Sequence, residues 1–136
     1  MADKKIFVNL PVKDLKRSVH FFTTLGFTFD PRFTDENATC VVVSDHIFVM
    51  LLVEDYFRTF TKKELCDATT RTEAILALSA GSREEVDDMV GRALSAGGKA
   101  SNDPMDEGGM YGWGFQDPDG HLWEVVSMGE SETAPR

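Results

Sequence analysis

The sequence predicts an α+β fold in which one βαβββ unit occurs twice. Two helical stripes, at 15–25 and 86–94, each follow one strand-like run and precede several more. Each stripe opens at a side chain suited to cap a helix N-terminus, Asp14 in the first and Ser82 in the second. The two openings share one register, since Leu10 corresponds to Leu78 and Asp14 to Ser82, both 68 positions on. An internal repeat of this kind points to a pseudo-symmetric domain.

The elements follow in order. Residues 5–12 read as a strand, with Pro11 marking its end. In the helix behind Asp14, Leu15, Val19, Phe22 and Leu25 recur at helical spacing, and Gly26 stops it. Residues 27–33 alternate as a second strand, and 34–37 form a polar turn. A β-branched run at 39–43 is the third strand, and the wholly apolar 47–53 is the fourth and central one. A connector at 54–72 contains a short helix, for which Thr61-Lys62-Lys63-Glu64 supplies a capping box. In the second copy, 73–80 is a strand. Ser82-Arg83-Glu84-Glu85 is another capping box, and Val86, Met89, Val90, Ala93 and Leu94 form the stripe that Gly97-Gly98 ends. Residues 99–102 form a short strand, 103–109 a polar loop, and 110–115 a strand. Asp117-Pro118-Asp119-Gly120 is a turn in which Pro sets φ and Gly supplies a positive one. The expected organisation is a single domain, 1–136: module one 4–53, connector 54–72, module two 73–127, and a frayed tail 128–136.

The 136 residues carry 14 basic and 23 acidic side chains, a formal charge of −9. The largest basic clusters are the pairs Lys4-Lys5, Lys16-Arg17 and Lys62-Lys63. Nucleic-acid binding needs a basic patch or stripe, so neither nucleic acid nor an anionic membrane is an expected partner. No apolar run approaches the ~18 residues of a membrane span. Residues 1–5 lead directly into a strand, without the apolar region and cleavage site of a signal peptide, so a cytoplasmic location is expected. In that reducing compartment Cys40 and Cys66, which lack CxxC or zinc spacing, are expected to be buried thiols.

Leu10-Pro11-Val12-Lys13-Asp14-Leu15-Lys16-Arg17-Ser18, with Phe21-Phe22 and Leu25-Gly26-Phe27 behind it, resembles the opening of the glyoxalase/bleomycin resistance/extradiol dioxygenase group, the vicinal oxygen chelate superfamily. The run from Asp117 to Val126 resembles its closing strand. The resemblance covers 4–127. It implies two βαβββ modules forming a curved mixed-sheet cup with helices packed outside. In metal-dependent members the first and fourth strands of each module supply the ligands of one divalent ion, typically His, Glu, His and Glu, and the ion polarises substrate oxygens. Many members are dimers, and a homodimer is expected here. Carried over by position, the four ligand sites fall on Phe7, Met50, Ile75 and Glu124. Phe and Ile have no lone pair to offer, and a thioether is too soft for hard or borderline ions. The expectation is therefore no metal and no cofactor.

Strand alternation then names the lining of the cup. It takes Phe7 and Asn9 from the first strand, and Phe48, Met50 and Leu52 from the fourth. The second module adds Ile75, Ala77 and Ser79, then Leu122, Glu124 and Val126. Tyr111, Trp113 and Phe115 add a wall, with Trp113 the one expected to meet a ligand. Such a pocket suits a small apolar or amphipathic organic molecule. Glu124 is the candidate catalytic base or partner of a cationic ligand; the plain alternative is a hydrogen bond to backbone or to Asn9. His121, three residues before Glu124, falls on the other face of its strand, and His20 and His46 read as surface residues. Residues 54–58 read as a helix start, the alternative being a lid in which Tyr56 or Phe57 covers a ligand. Residues 106–109 read as a surface loop at the rim. Two functions result. One is a metal-free small-molecule-binding protein. The other is a glyoxalase-like lyase or isomerase using Glu124 as base or metal ligand.

Overall fold

The structure, a computed structural model, describes residues 3–128, so the tail expected at 128–136 lies, apart from Met128, outside the described residues. The chain forms two units, Met1–Cys66 and Asp67–Arg136, divided inside the connector expected at 54–72. Each has its own mixed sheet and at least one helix, an α+β arrangement.

The first unit runs β1 (Ile6–Val12), α1 (Leu15–Thr24), β2 (Thr28–Phe29), β3 (Ala38–Ser44), β4 (Ile47–Val53) and the short helix α2 (Glu54–Phe57). The sheet order is β1-β4-β3-β2, with β1 parallel to β4 and the other pairs antiparallel. The Asp14 carboxylate accepts the Arg17 N–H at 3.2 Å and starts α1, which buries Ser18, Phe21 and Phe22. Pro11 is tolerated inside β1 because β1 is an edge strand. Val41, Val49 and Leu51 are fully buried on one face of the sheet, while Asn9, Met50 and Leu52 alternate onto the other.

Two expected elements of this unit lie elsewhere. Only Thr28 and Phe29 of the strand expected at 27–33 pair with β3. Asp30 then accepts the Arg32 N–H at 3.0 Å and caps a single 3-10 turn, Pro31–Phe33. Pro31 has no N–H for a ladder, and its fixed φ suits the first helical position behind a capping Asp, so the chain leaves the sheet there. The connector helix sits at Glu54–Phe57 and continues as a 3-10 turn, Arg58–Phe60, ahead of the expected capping box. Thr61 instead accepts the Lys63 N–H at 3.1 Å. No apolar stripe follows Glu64, so a helix there would have no face to bury.

The second unit runs β5 (Ile75–Ala80), α3 (Arg83–Ser95), β6 (Lys99–Ala100), β7 (Met105–Glu107), β8 (Met110–Gln116) and β9 (Leu122–Ser127). Its order, β5-β9-β8-β6 with β5 parallel to β9, repeats that of the first unit, and β7 pairs with β8 as a fifth strand. Ser82 accepts the Glu85 N–H at 3.1 Å, and the Glu85 carboxylate reaches back to the Gly81 N–H at 3.1 Å. α3 buries Val86, Val90 and Ala93 and packs on β8 and β9, where Phe115, Trp123 and Val125 are each 1% exposed. The loop expected at 103–109, including its rim segment 106–109, instead contains a hairpin. Glu107 pairs with Met110, and Gly108 and Gly109 between them have φ of 60° and 84°. Two successive positive φ angles make the two-residue hairpin turn that glycine favours.

The turn before β9 is tied down by a buried carboxylate. Asp117 is 2% exposed and accepts three N–H groups: Asp119 and His121 of the backbone at 3.0 Å each, and the Trp123 indole at 3.1 Å. Burial pushes its carboxyl above the ordinary range, helped by the nearby Asp119 charge; the nearby His121 and the Trp123 and His121 donors pull the other way and do not prevail. Cys40 is buried in β3, and burial raises its thiol pKa. Cys66 is exposed, contrary to expectation, because it lies in an irregular segment that packs no core. Among the described residues no helix is long and apolar enough to cross a membrane.

Candidate ligand site

Phe7, Asn9, Phe48, Met50 and Leu52 share one face of the first sheet, with Phe7 opposite Phe48 and Asn9 opposite Met50. The Phe7 and Phe48 rings stack at 4.8 Å and 14°. A cavity of about 220 Å³ opens on this face. Asn9, Ala38, Met50 and Leu52 line it from the strands. Its walls come from two segments outside the strands. The Pro31–Phe33 turn and the loop behind it supply Arg32, Phe33, Thr34 and Asp35, and the α2 region supplies Tyr56 and Phe60. Phe7 joins indirectly, meeting the Phe33 ring edge to face at 6.2 Å. Tyr56 thus lines the cavity, as the lid alternative for 54–58 requires.

The polar groups of the cavity are largely committed. Arg32 makes a forked pair with Asp30, Nη2 to Oδ2 at 2.7 Å and Nε to Oδ1 at 3.1 Å, which holds the Asp30 carboxyl below the usual carboxylate range. The same guanidinium lies 5.4 Å from the centre of the Phe33 ring. The Thr34 hydroxyl donates to the Asp30 carbonyl at 2.8 Å, and Asn9 Nδ2 donates to the Phe7 carbonyl at 3.3 Å. Asp35 Oδ1 accepts the Asn37 and Ala38 N–H groups at 2.7 and 3.1 Å, closing the loop into β3. Tyr56 and Phe60 meet edge to face at 5.1 Å.

In the second unit, Ile75 lies opposite Leu122 and Ala77 opposite Glu124, so these four share a face with Ser79 and Val126. Glu124 is half-buried and lies opposite Gly114 of β8. Among the described residues its carboxylate takes no hydrogen bond or ion pair, so the alternative of a bond to backbone is not made within its own unit. Trp113 is a correction. It pairs with Val125 and lies with Tyr111 and Phe115 on the face that α3 covers. The Tyr111 hydroxyl donates to Asp87 of α3 at 2.5 Å, and the Arg83 guanidinium sits 4.3 Å above its ring. On the face that Glu124 occupies, β8 presents Gly112 and Gly114, which have no side chain with which to build a wall.

The four positions at which the resemblance implies metal ligands do not fit a divalent ion. Phe7 and Met50 in the first unit and Ile75 in the second offer no oxygen or nitrogen, which leaves the single carboxylate of Glu124. Among the described residues no three His, Cys, Asp or Glu side chains gather elsewhere. His46 is exposed, 3.4 Å from Asp3, and His20 is exposed on α1. Strand alternation does not find Phe33, Asp35, Tyr56 and Phe60, because none of them is on a strand. The Asp30-Pro31 pair, a helix-start signal, is what would reveal the first two.

Residues 4–44 match the family model described as bleomycin resistance protein-like N-terminal. A search of curated proteins finds no significant match. Among solved structures, a hypothetical protein from S. aureus is 27% identical, covers 93% of this chain and 95% of its own, and superposes with a TM-score of 0.79. A glyoxalase/bleomycin resistance protein/dioxygenase family enzyme from Burkholderia phytofirmans is 15% identical over 90% of this chain and 96% of its own, with a TM-score of 0.74. The genomically encoded fosfomycin resistance protein FosX from Listeria monocytogenes is 21% identical over 93% and 92%, with a TM-score of 0.67. With the doubled βαβββ topology, these likenesses show the fold shared by proteins of the glyoxalase/bleomycin resistance/dioxygenase group.

Proposed function

We propose that the chain is a small-molecule-binding protein that takes an apolar or amphipathic organic ligand, without a metal, against the first sheet. One observation carries this reading: the cavity of about 220 Å³ in which Phe33, Tyr56 and Phe60 stand around Met50 and Leu52. The lining joins polar side chains (Asn9, Arg32, Thr34 and Asp35) to aromatic and aliphatic ones in comparable share, which suits an amphipathic ligand, and the volume, below the roughly 300 Å³ of drug-sized sites, calls for a small one. The names of two similar proteins, a family for bleomycin resistance and a protein for fosfomycin resistance, lend support by analogy.

The test is an NMR titration of the whole chain with small amphipathic aromatic compounds. Shifts are expected at the Met50 and Ala38 methyl groups. A Tyr56→Ala, Phe60→Ala double variant should bind about tenfold more weakly, the worth of one or two lost ring contacts. Both side chains are exposed, Phe60 by 67% and Tyr56 by 38%, so the fold should survive. Shifts confined to the second unit, or chemical conversion of the bound compound, would overturn the reading. The second reading, a glyoxalase-like lyase or isomerase, is favoured by the half-buried and unpaired Glu124 alone. Under that reading Glu124→Gln abolishes turnover, and unchanged turnover excludes it.

A further inference from the structure

Resting on the binding role proposed above, we infer that the first-unit cavity selects organic cations: an ammonium-type head on a small apolar body, held by Tyr56, Phe60 and Asp35. Tyr56 and Phe60 meet at 77°, so they form two perpendicular walls. The face of an aromatic ring is its negative region and attracts a cation within about 6 Å. The third aromatic wall already does this inside the protein, since the Arg32 guanidinium lies 5.4 Å from the centre of the Phe33 ring.

The charged groups point the same way. Arg32 and Asp35 are the charged side chains that line the cavity. Arg32 is matched by its forked pair with Asp30. Asp35 uses Oδ1 for two backbone N–H groups, while Oδ2 has no partner among the described residues. The uncompensated charge at the cavity is therefore one carboxylate. The wider field of the unit supplies no preference. Up to Cys66 the chain has nine basic and nine acidic residues, whereas after it there are five and fourteen, so the whole −9 belongs to the second unit. Selection by charge at this cavity must come from its own walls.

The experiment compares three molecules of nearly one shape on the intact chain: choline, its uncharged carbon isostere dimethylbutanol, and the anion pivalate. Binding is read from the Met50 and Ala38 methyl signals and the Tyr56 ring signals. Choline should bind about tenfold more tightly than dimethylbutanol, the scale of a cation held against aromatic faces. Asp35→Asn keeps the Oδ1 acceptor that closes the loop, and Tyr56→Leu removes one wall. Asp35→Asn should lower choline affinity several-fold with little change for dimethylbutanol, and Tyr56→Leu should weaken choline by a larger factor than dimethylbutanol. Equal affinity for choline and dimethylbutanol overturns the cation inference and leaves the binding role standing, as does tighter binding of pivalate. If no probe moves those signals, and the aromatic compounds of the preceding titration also fail, the binding role itself falls.

Discussion

Replacing Gly114 by alanine tests how closely β8 and β9 approach beneath Glu124. A Cβ at Gly114 would stand 2.5 Å from the Trp123 carbonyl oxygen, 3.1 Å from Glu124 Cγ and 3.2 Å from Ser101 Oγ. The first contact is with backbone, so the strands must part locally or the carbonyl must rotate. Overpacking of this kind costs about 1–3 kcal/mol. Gly112, two residues earlier on the same face, is the internal control. Its Cβ would meet Val126 Cγ2 at 3.6 Å and the Val125 carbonyl at 3.7 Å, both ordinary contacts. Each substitution also gains about 0.4–1 kcal/mol by restricting the unfolded chain. That gain is common to both, so the difference between Gly114→Ala and Gly112→Ala isolates the overpacking, about 1–3 kcal/mol. Urea unfolding followed by tryptophan fluorescence is the assay. Both tryptophans, Trp113 and Trp123, are on β8 and β9, so the signal reports the second unit. Gly114→Ala should have the lower midpoint, and Gly112→Ala should match or exceed the parent. Equal midpoints for the two variants would refute the close approach.

Two further outcomes follow from the buried carboxylate and the donor set. Burial raises the Asp117 carboxyl above its ordinary 3.8, so the folded chain holds that proton to higher pH than the unfolded chain does. Its contribution to stability is complete below that ordinary value and is lost as pH rises through the raised one. Asp117→Asn cannot ionise and should flatten this part of the stability–pH curve; a slope identical to the parent's would show that the burial has no such effect. With Phe7, Met50 and Ile75 at the positions where the superfamily's metal-dependent members carry ligands, a strong chelator should leave the melting temperature and the affinity for any bound probe unchanged. A fall in either on chelation, restored by a divalent ion, would show that donors other than these hold a metal.

The topology of both units was legible because each signal is local and chemical. Asp14 and Ser82 cap their helices as read, and the apolar run at 47–53 forms the central strand. Alternation also sorted Met50 and Leu52 onto the cavity face correctly, since a strand has only two faces. Trp113, expected as part of a wall because it is aromatic, lies on the other face of β8, since the adjacent Gly112 and Gly114 occupy the face that Glu124 shares.

What the amino-acid order determined by itself is therefore the doubled βαβββ plan, the capped helices, and the lack of a hard metal ligand at three of the four positions that the resemblance names, Phe7, Met50 and Ile75. Each of these depends on residue type and spacing alone. Tertiary structure decided where the cavity lies and what walls it. Phe33, Asp35, Tyr56 and Phe60 come from two short irregular segments with no periodicity, and they meet only because Asp30-Pro31 turns the chain off the sheet while α2 follows directly on β4. Strand periodicity sorts side chains to faces within a sheet, but which loop closes over a face depends on contacts between residues some twenty positions apart, and no local spacing encodes that distance.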